Sequence, residues 1–280
     1  PIEWQQMGSA ALGWDKEGNP TWYYTSPGAS TGRLYAGRIK DGELLGEYPY
    51  PGGGQNWAVV AMENGDVYFS AGATLLKLDA ELGEVRSLGR PYPNTGMIWD
   101  LELGPDGVLY GATYPEARLF RLDPADDRFF DLGRVSSEEY ARSLGVSERH
   151  LFVGIGPVTD LIAYDKETGD VRSLLPERYR GQQGFITQVD VRGHRVFVLL
   201  PGNATLVFDA NTLEVVGELA GVYWPISPVD EDGFVYFRLH SAPYRYHLET
   251  DRFGQHGLVQ PEAAALGFAA LEPDLVPEAR

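Results

Sequence analysis

Three residues could form an acid–base set. Histidine is the natural proton carrier near neutral pH, and the chain has five. His150 and His194 fall in polar turns, SERH and RGHR, and are expected to be solvated. His247 and His256 fall on outer strands of the last full repeat. That leaves His240, with Tyr114 and Arg142 as partners. Arginine would neutralise a uronate carboxylate while histidine and tyrosine act as base and acid, the chemistry of β-elimination from an acidic polysaccharide.

A wider set suits binding without turnover. Trp57, Trp99, Asp100, Tyr140, Arg142, Gln188, Trp224 and Tyr244 combine aromatic rings with amide, guanidinium and carboxylate groups. Rings stack on sugar faces, and the polar groups bond hydroxyls and carboxylates. Gln55, Asn56, Thr95 and Thr113 are expected on the same face. No HxH, HExxH or EF-hand pattern occurs, and Asp106, Asp123, Asp126 and Asp127 read as turn acids, so neither metal nor cofactor is expected. Cysteine is absent, which excludes disulfides and thiolate chemistry.

Residues so far apart can act together only if the fold gathers them. Asp79, Asp123, Asp165 and Asp209 recur every 42 to 44 residues. Each closes a short apolar run, as in TLLKLD, RLFRLD, LIAYD and TLVFD. A period near 40–45 is that of a four-stranded propeller blade. In the third repeat the strands read MIWDLEL, VLYGAT, RLFRLD and RFFDLG, divided by turn residues. The fourth gives ARSLGV, LFVGIG, LIAYD and VRSLL, and the fifth FITQVDV, VFVLL, LVFD and VVGEL. Helical periodicity is confined to one candidate turn at SSEEYARSL. One repeat cannot bury both of its faces, so repeats must stack.

The predicted architecture is therefore all-β: a single β-propeller domain over residues 1–280, built of four-stranded antiparallel blades. The repeats run 9–55, 56–96, 97–139, 140–183, 184–224 and 225–261. Residues 262–280, with LGFAALEPD echoing ALGWDKEGN, begin a further blade or form a tail. Six repeats plus a partial seventh suggest seven blades in a parent protein, with EWQQMG completing the last blade. The segment WDKEGNPTW is read as a turn held by Asp15.

The motif strand–D–x–x–T–G–x–V, matched by Asp165, Thr168 and Gly169, resembles that of the bacterial quinoprotein-like and YVTN-like repeat propellers. The Trp that closes the quinoprotein docking motif is absent, with Ser173 and Ser87 near those positions. WD40 proteins place Trp-Asp at the end of the third strand; here Trp99-Asp100 falls in the first.

The chain has 280 residues, 43% hydrophobic and 22% charged, and a formal net charge of −17. Such a charge repels nucleic-acid phosphates and anionic membranes, so neither is an expected partner. No apolar run nears the ~20 residues that cross a bilayer. An extracytoplasmic or secreted bacterial module is favoured, with further domains of the same parent chain as companions. The first function reading is a ligand-binding or scaffold propeller that takes a polar, glycan-like small molecule at the channel mouth. The alternatives are a polysaccharide lyase or hydrolase on an acidic glycan, and a protein-interaction propeller.

Overall fold

The computed structural model describes residues 8–28, 30–52, 54–239 and 242–249. Among these there is no helix, and the chain runs as six antiparallel meanders. The first sheet holds β1 (Ala10–Trp14), β2 (Pro20–Ser26), β3 (Thr31–Arg38) and β4 (Leu44–Pro51). The second holds β5 (Val59–Ala61), β6 (Val67–Ala71), β7 (Thr74–Asp79) and β8 (Glu84–Gly89). The third holds β9 (Met97–Leu103), β10 (Leu109–Tyr114), β11 (Arg118–Asp123) and β12 (Arg128–Arg134). The fourth holds β13 (Tyr140–Val146), β14 (His150–Gly156), β15 (Asp160–Asp165) and β16 (Val171–Ser173). The fifth holds β17 (Gln188–Arg192), β18 (Arg195–Leu199), β19 (Ala204–Asp209) and β20 (Val215–Ala220). The sixth holds β21 (Val222–Tyr223), β22 (Phe234–Leu239) and β23 (Ala242–His247).

The chain divides into two compact units, 1–189 and 190–280. Within the first, successive sheets share apolar layers. Tyr23, Leu34 and Tyr50 meet Val67, Phe69 and Leu76 between the first and second sheets. Tyr68, Leu75 and Ile98 meet Leu109 and Phe120 between the second and third. Leu119, Ala141, Leu151 and Val153 join the third to the fourth. In the second unit Phe197, Val207, Val235, Phe237 and Tyr246 form one layer. Each fully buried Leu or Phe contributes about 1.5–3 kcal/mol of transfer free energy. The middle strands carry this load: all seven residues of β14 are buried. The fourth strands meet water, and β16 has two of its three residues exposed.

One turn recurs where the third and fourth strands join. Asp79, Asp165 and Asp209 each accept two backbone N–H bonds on one carboxylate oxygen, from the second and third residues on, at 2.9 to 3.1 Å. Asp123 accepts one, from Ala125 at 2.9 Å. In every case the N–H of the fourth residue on bonds back to the aspartate carbonyl, and that residue has positive φ. The occupants are Gly83, Asp127, Gly169 and Leu213, with φ of 66°, 54°, 77° and 64°. This is the physical content of the D–x–x–T–G pattern: an Asx turn followed by a left-handed residue. Asp15 behaves as predicted, accepting from Glu17 N at 3.0 Å and Asn19 N at 2.8 Å.

Three expectations are corrected. The SSEEYARSL segment forms no helical turn. Its first residues bend, held by the Arg134 guanidinium, which donates to the carbonyls of Ser136 and Ser137 at 2.6 Å. From Tyr140 the chain is already β13. The first strand of the fifth sheet starts at Gln188 rather than Phe185, because the preceding residues bond the fourth sheet instead, Ile186 N to the Ile155 carbonyl and Ser143 Oγ to the Ile186 carbonyl. His150 is not solvated: it opens β14 buried, with Nε2 3.7 Å from the Asp165 carboxylate. The proposed N-terminal closing strand and residues 262–280 lie outside the described residues.

Candidate functional site

The first strands of the third and fourth sheets, and the segment leading into that of the second, place one side chain each in a common cluster. In the third sheet the β9–β10 register jumps: Asp100 faces Ala112 but Ile98 faces Thr113, so Trp99 is an inserted residue. In the fourth sheet Ala141 faces Ile155 and Ser143 faces Gly154, so Arg142 is inserted at the equivalent place. Such a bulge re-aims its extra side chain out of the ladder. In the second sheet the ladder has ended there, and Ser70 Oγ accepts the N–H groups of Trp57 and Ala58 at 3.1 Å. Trp57, Trp99 and Arg142 stand 42 and 43 residues apart, one repeat each.

Adjacent strands bring the three into mutual contact. The indole centroids of Trp57 and Trp99 are 4.7 Å apart. The Arg142 guanidinium carbon lies 4.5 Å from the Trp99 ring and 5.0 Å from the Trp57 ring. Tyr140 extends the surface, 5.9 Å from Trp99 and 4.5 Å from Tyr114. Phe185 closes it edge-on to Tyr140 at 5.2 Å and is 37% exposed. Each aromatic pair contributes about 0.5–1.5 kcal/mol beyond its burial. All of these rings are partly exposed, so the cluster is a surface as well as a contact.

Its electrostatics are one-sided. Burial pushes the Arg142 guanidinium below its ordinary pKa, and only the charge of Asp100 opposes this. Asp100 itself is engaged with the backbone, accepting Leu101 N–H at 2.9 Å and Leu144 N–H at 2.8 Å. Burial, then the neighbouring Tyr114 phenol, push the Tyr140 hydroxyl up. The indole N–H of Trp99 is buried without an acceptor, whereas that of Trp57 donates to Gln55 Oε1 at 3.1 Å.

Of the residues singled out in the sequence, Trp57, Trp99, Asp100, Tyr114, Tyr140 and Arg142 come together in the first unit. Gln188 is exposed at the start of β17. Trp224 and Tyr244 belong to the second unit, packed against its apolar layer. His240 lies outside the described residues. Asn56, Thr95 and Thr113 are buried and spoken for. Asn56 bonds Tyr50 and the Ser70 carbonyl, Thr95 bonds the Tyr92 carbonyl, and Thr113 bonds Tyr92 and the Arg118 carbonyl. The turn acids have separate partners: Asp106 takes Tyr110 and Lys166, while Asp127 takes Tyr68 and Arg86. Phe185 was missed because FITQVDV reads as an unbroken strand.

A polar cleft of about 400 Å³ opens between the first and second sheets, lined by Asp15, Lys16, Arg38 and Tyr48 among others. Two of its charged groups are engaged, Asp15 by the Asn19 amide and Arg38 by Asp41 and Glu43.

The fold is a β-propeller. Solved structures with the same architecture include streptogramin B lyase, at TM-score 0.63 and 14% identity, covering 91% of this chain and 84% of that one. The catalytically inactive virginiamycin B lyase from Staphylococcus aureus with quinupristin matches at 0.65 and 13%, covering 86% of each chain. U3-55K matches at 0.65 and 10%, covering 88% of this chain and 79% of that one. No protein-family model and no curated protein sequence matches the chain.

Proposed function

We infer that the chain is a ligand-binding propeller whose aromatic surface takes a polar, ring-bearing small molecule of glycan type. One observation supports this above the rest. Five aromatic rings, Trp57, Trp99, Tyr114, Tyr140 and Phe185, adjoin in one partly exposed run with centroids 4.5 to 5.9 Å apart. Rings buried wholly in a core would serve packing alone; a run left half open offers flat apolar faces edged with hydroxyl and guanidinium donors. Sugars present just such a complement, an apolar C–H face ringed by hydroxyls.

The test is a glycan array probed with the purified chain, followed by calorimetry on the hits. Trp57→Ala and Tyr140→Ala are expected to weaken binding at least about tenfold, as loss of a central aromatic anchor does. An array without any hit, or hits indifferent to both variants, would defeat the reading.

A second reading is elimination on an acidic glycan by His240, Tyr114 and Arg142. The contact of Tyr114 with Tyr140 favours it, since it holds two phenols beside Arg142's platform. Release of unsaturated uronate, followed by its short-wavelength ultraviolet absorbance, separates turnover from binding. Activity that survives both His240→Ala and Tyr114→Phe would rule out this acid–base set.

A further inference from the structure

Among the described residues the only charge acting on the Arg142 cation is that of Asp100, and no carboxylate pairs with it directly. Among the described residues Arg142 makes no hydrogen bond or ion pair; its contacts are the two indole faces. Several other arginines of the same unit are tied to carboxylates, Arg38 to Asp41 at 2.9 Å, Arg118 to Asp131 at 2.5 Å and Arg149 to Asp165 at 2.8 Å; Arg121 and Arg128 also stack on a ring, that of Phe130, but stand exposed. The chain has 40 acidic residues to 23 basic ones, so acids were available to pair it. The one beside it, Asp100, has an oxygen on each of two backbone amides. A guanidinium carries five N–H donors in a planar fork. Holding it partly desolvated without an acceptor is unfavourable, and an anion arriving from solution would recover that cost.

Resting on the ligand-binding reading of the same surface, we propose that Arg142 sets its specificity by holding the carboxylate of a uronic-acid residue, whose ring stacks on the adjoining aromatics. A carboxylate matches the guanidinium fork with two parallel bonds, and its negative charge complements the positive charge of Arg142. Stacking on Trp57 and Trp99 keeps the fork planar and fixed, so little rotamer freedom is lost on binding.

The experiment compares oligosaccharides of galacturonate, glucuronate and mannuronate with their methyl esters and with sulfated neutral oligosaccharides, by calorimetry on the full chain. At least one acid form is expected to bind about tenfold or more tightly than its ester, the scale of a charge-assisted bond. Arg142→Gln should bring acid and ester level, and Arg142→Lys should restore part of the difference. Equal affinity of the wild-type chain for acid and ester overturns the inference while leaving the stacking surface intact. So does a preference that survives Arg142→Gln, or sulfated sugars that bind better than uronates. Failure of every sugar, ester and acid alike, defeats the ligand-binding reading itself. Should Arg142→Gln not fold, the wild-type comparison still decides.

Discussion

The guanidinium of Arg142 lies 4.5 Å from the Trp99 indole, and both residues are the inserted members of equivalent bulges in neighbouring sheets. A double-mutant cycle measures this contact. Trp99→Leu and Arg142→Met, alone and together, are expected to show a coupling of about 1 kcal/mol in urea unfolding, between the exposed and desolvated limits of cation–π pairs. Additive losses would show that the stacking contributes nothing to stability.

The left-handed residue after each turn aspartate makes Leu213 a misfit. Its φ of 64° suits glycine, which stands at two of the four equivalent positions. A branched side chain costs about 1–2 kcal/mol in that conformation, and glycine's extra backbone entropy returns part of it. Leu213→Gly is therefore expected to raise stability by about 0.5–1 kcal/mol, read as a higher urea midpoint. The reverse change, Gly169→Leu, should lower it by a similar amount.

Asp165 carries a pH dependence of stability. Backbone N–H bonding from Thr168 first, then the Arg149 guanidinium, hold its carboxyl down at about 2. A depressed folded-state value means that the stabilisation is complete above the unfolded value near 4 and is lost as pH falls toward 2. The melting-temperature gap between the native chain and Asp165→Asn should be widest above pH 4 and close progressively below it. A gap constant from pH 6 to pH 2 would contradict the assignment.

Gly154 is where the fourth sheet approaches the segment leading into β17. An added Cβ would sit 2.3 Å from Ser143 Oγ and 2.6 Å from the Ile186 carbonyl oxygen. Those two atoms are hydrogen-bonded to each other at 2.8 Å. Gly154→Ala must push them apart, at a cost of about 2–3 kcal/mol. Ser143→Ala, which removes the bond alone, should cost only about 1 kcal/mol. Chemical unfolding distinguishes the two.

Much of this was legible in the residues. The aspartate period located the blades because the Asx turn is a local device whose geometry depends on five consecutive residues. MIWDLEL and RLFRLD match β9 and β11 to the residue. Interior strands of this kind announce themselves by unbroken apolar runs. The bulges were not legible, since an inserted residue leaves no mark on composition. Yet the spacing of Trp57, Trp99 and Arg142 holds the clue: one repeat apart, they fall at matching places in successive repeats. His150 was misjudged because SERH reads as a polar turn, whereas burial there is set by Asp165, fifteen residues downstream. Asn56 and Thr113 read as ligand-facing because a sequence cannot tell a polar side chain that serves a neighbouring carbonyl from one that serves a guest.

The bulged position has an implication for engineering. An inserted residue is opposite no partner, so exchanging it disturbs neither the pairing nor the layers beneath. Two successive blades carry it, once as tryptophan and once as arginine. A library confined to codons 99 and 142 would thus vary what the surface captures, anionic, neutral or cationic, on an otherwise unaltered scaffold.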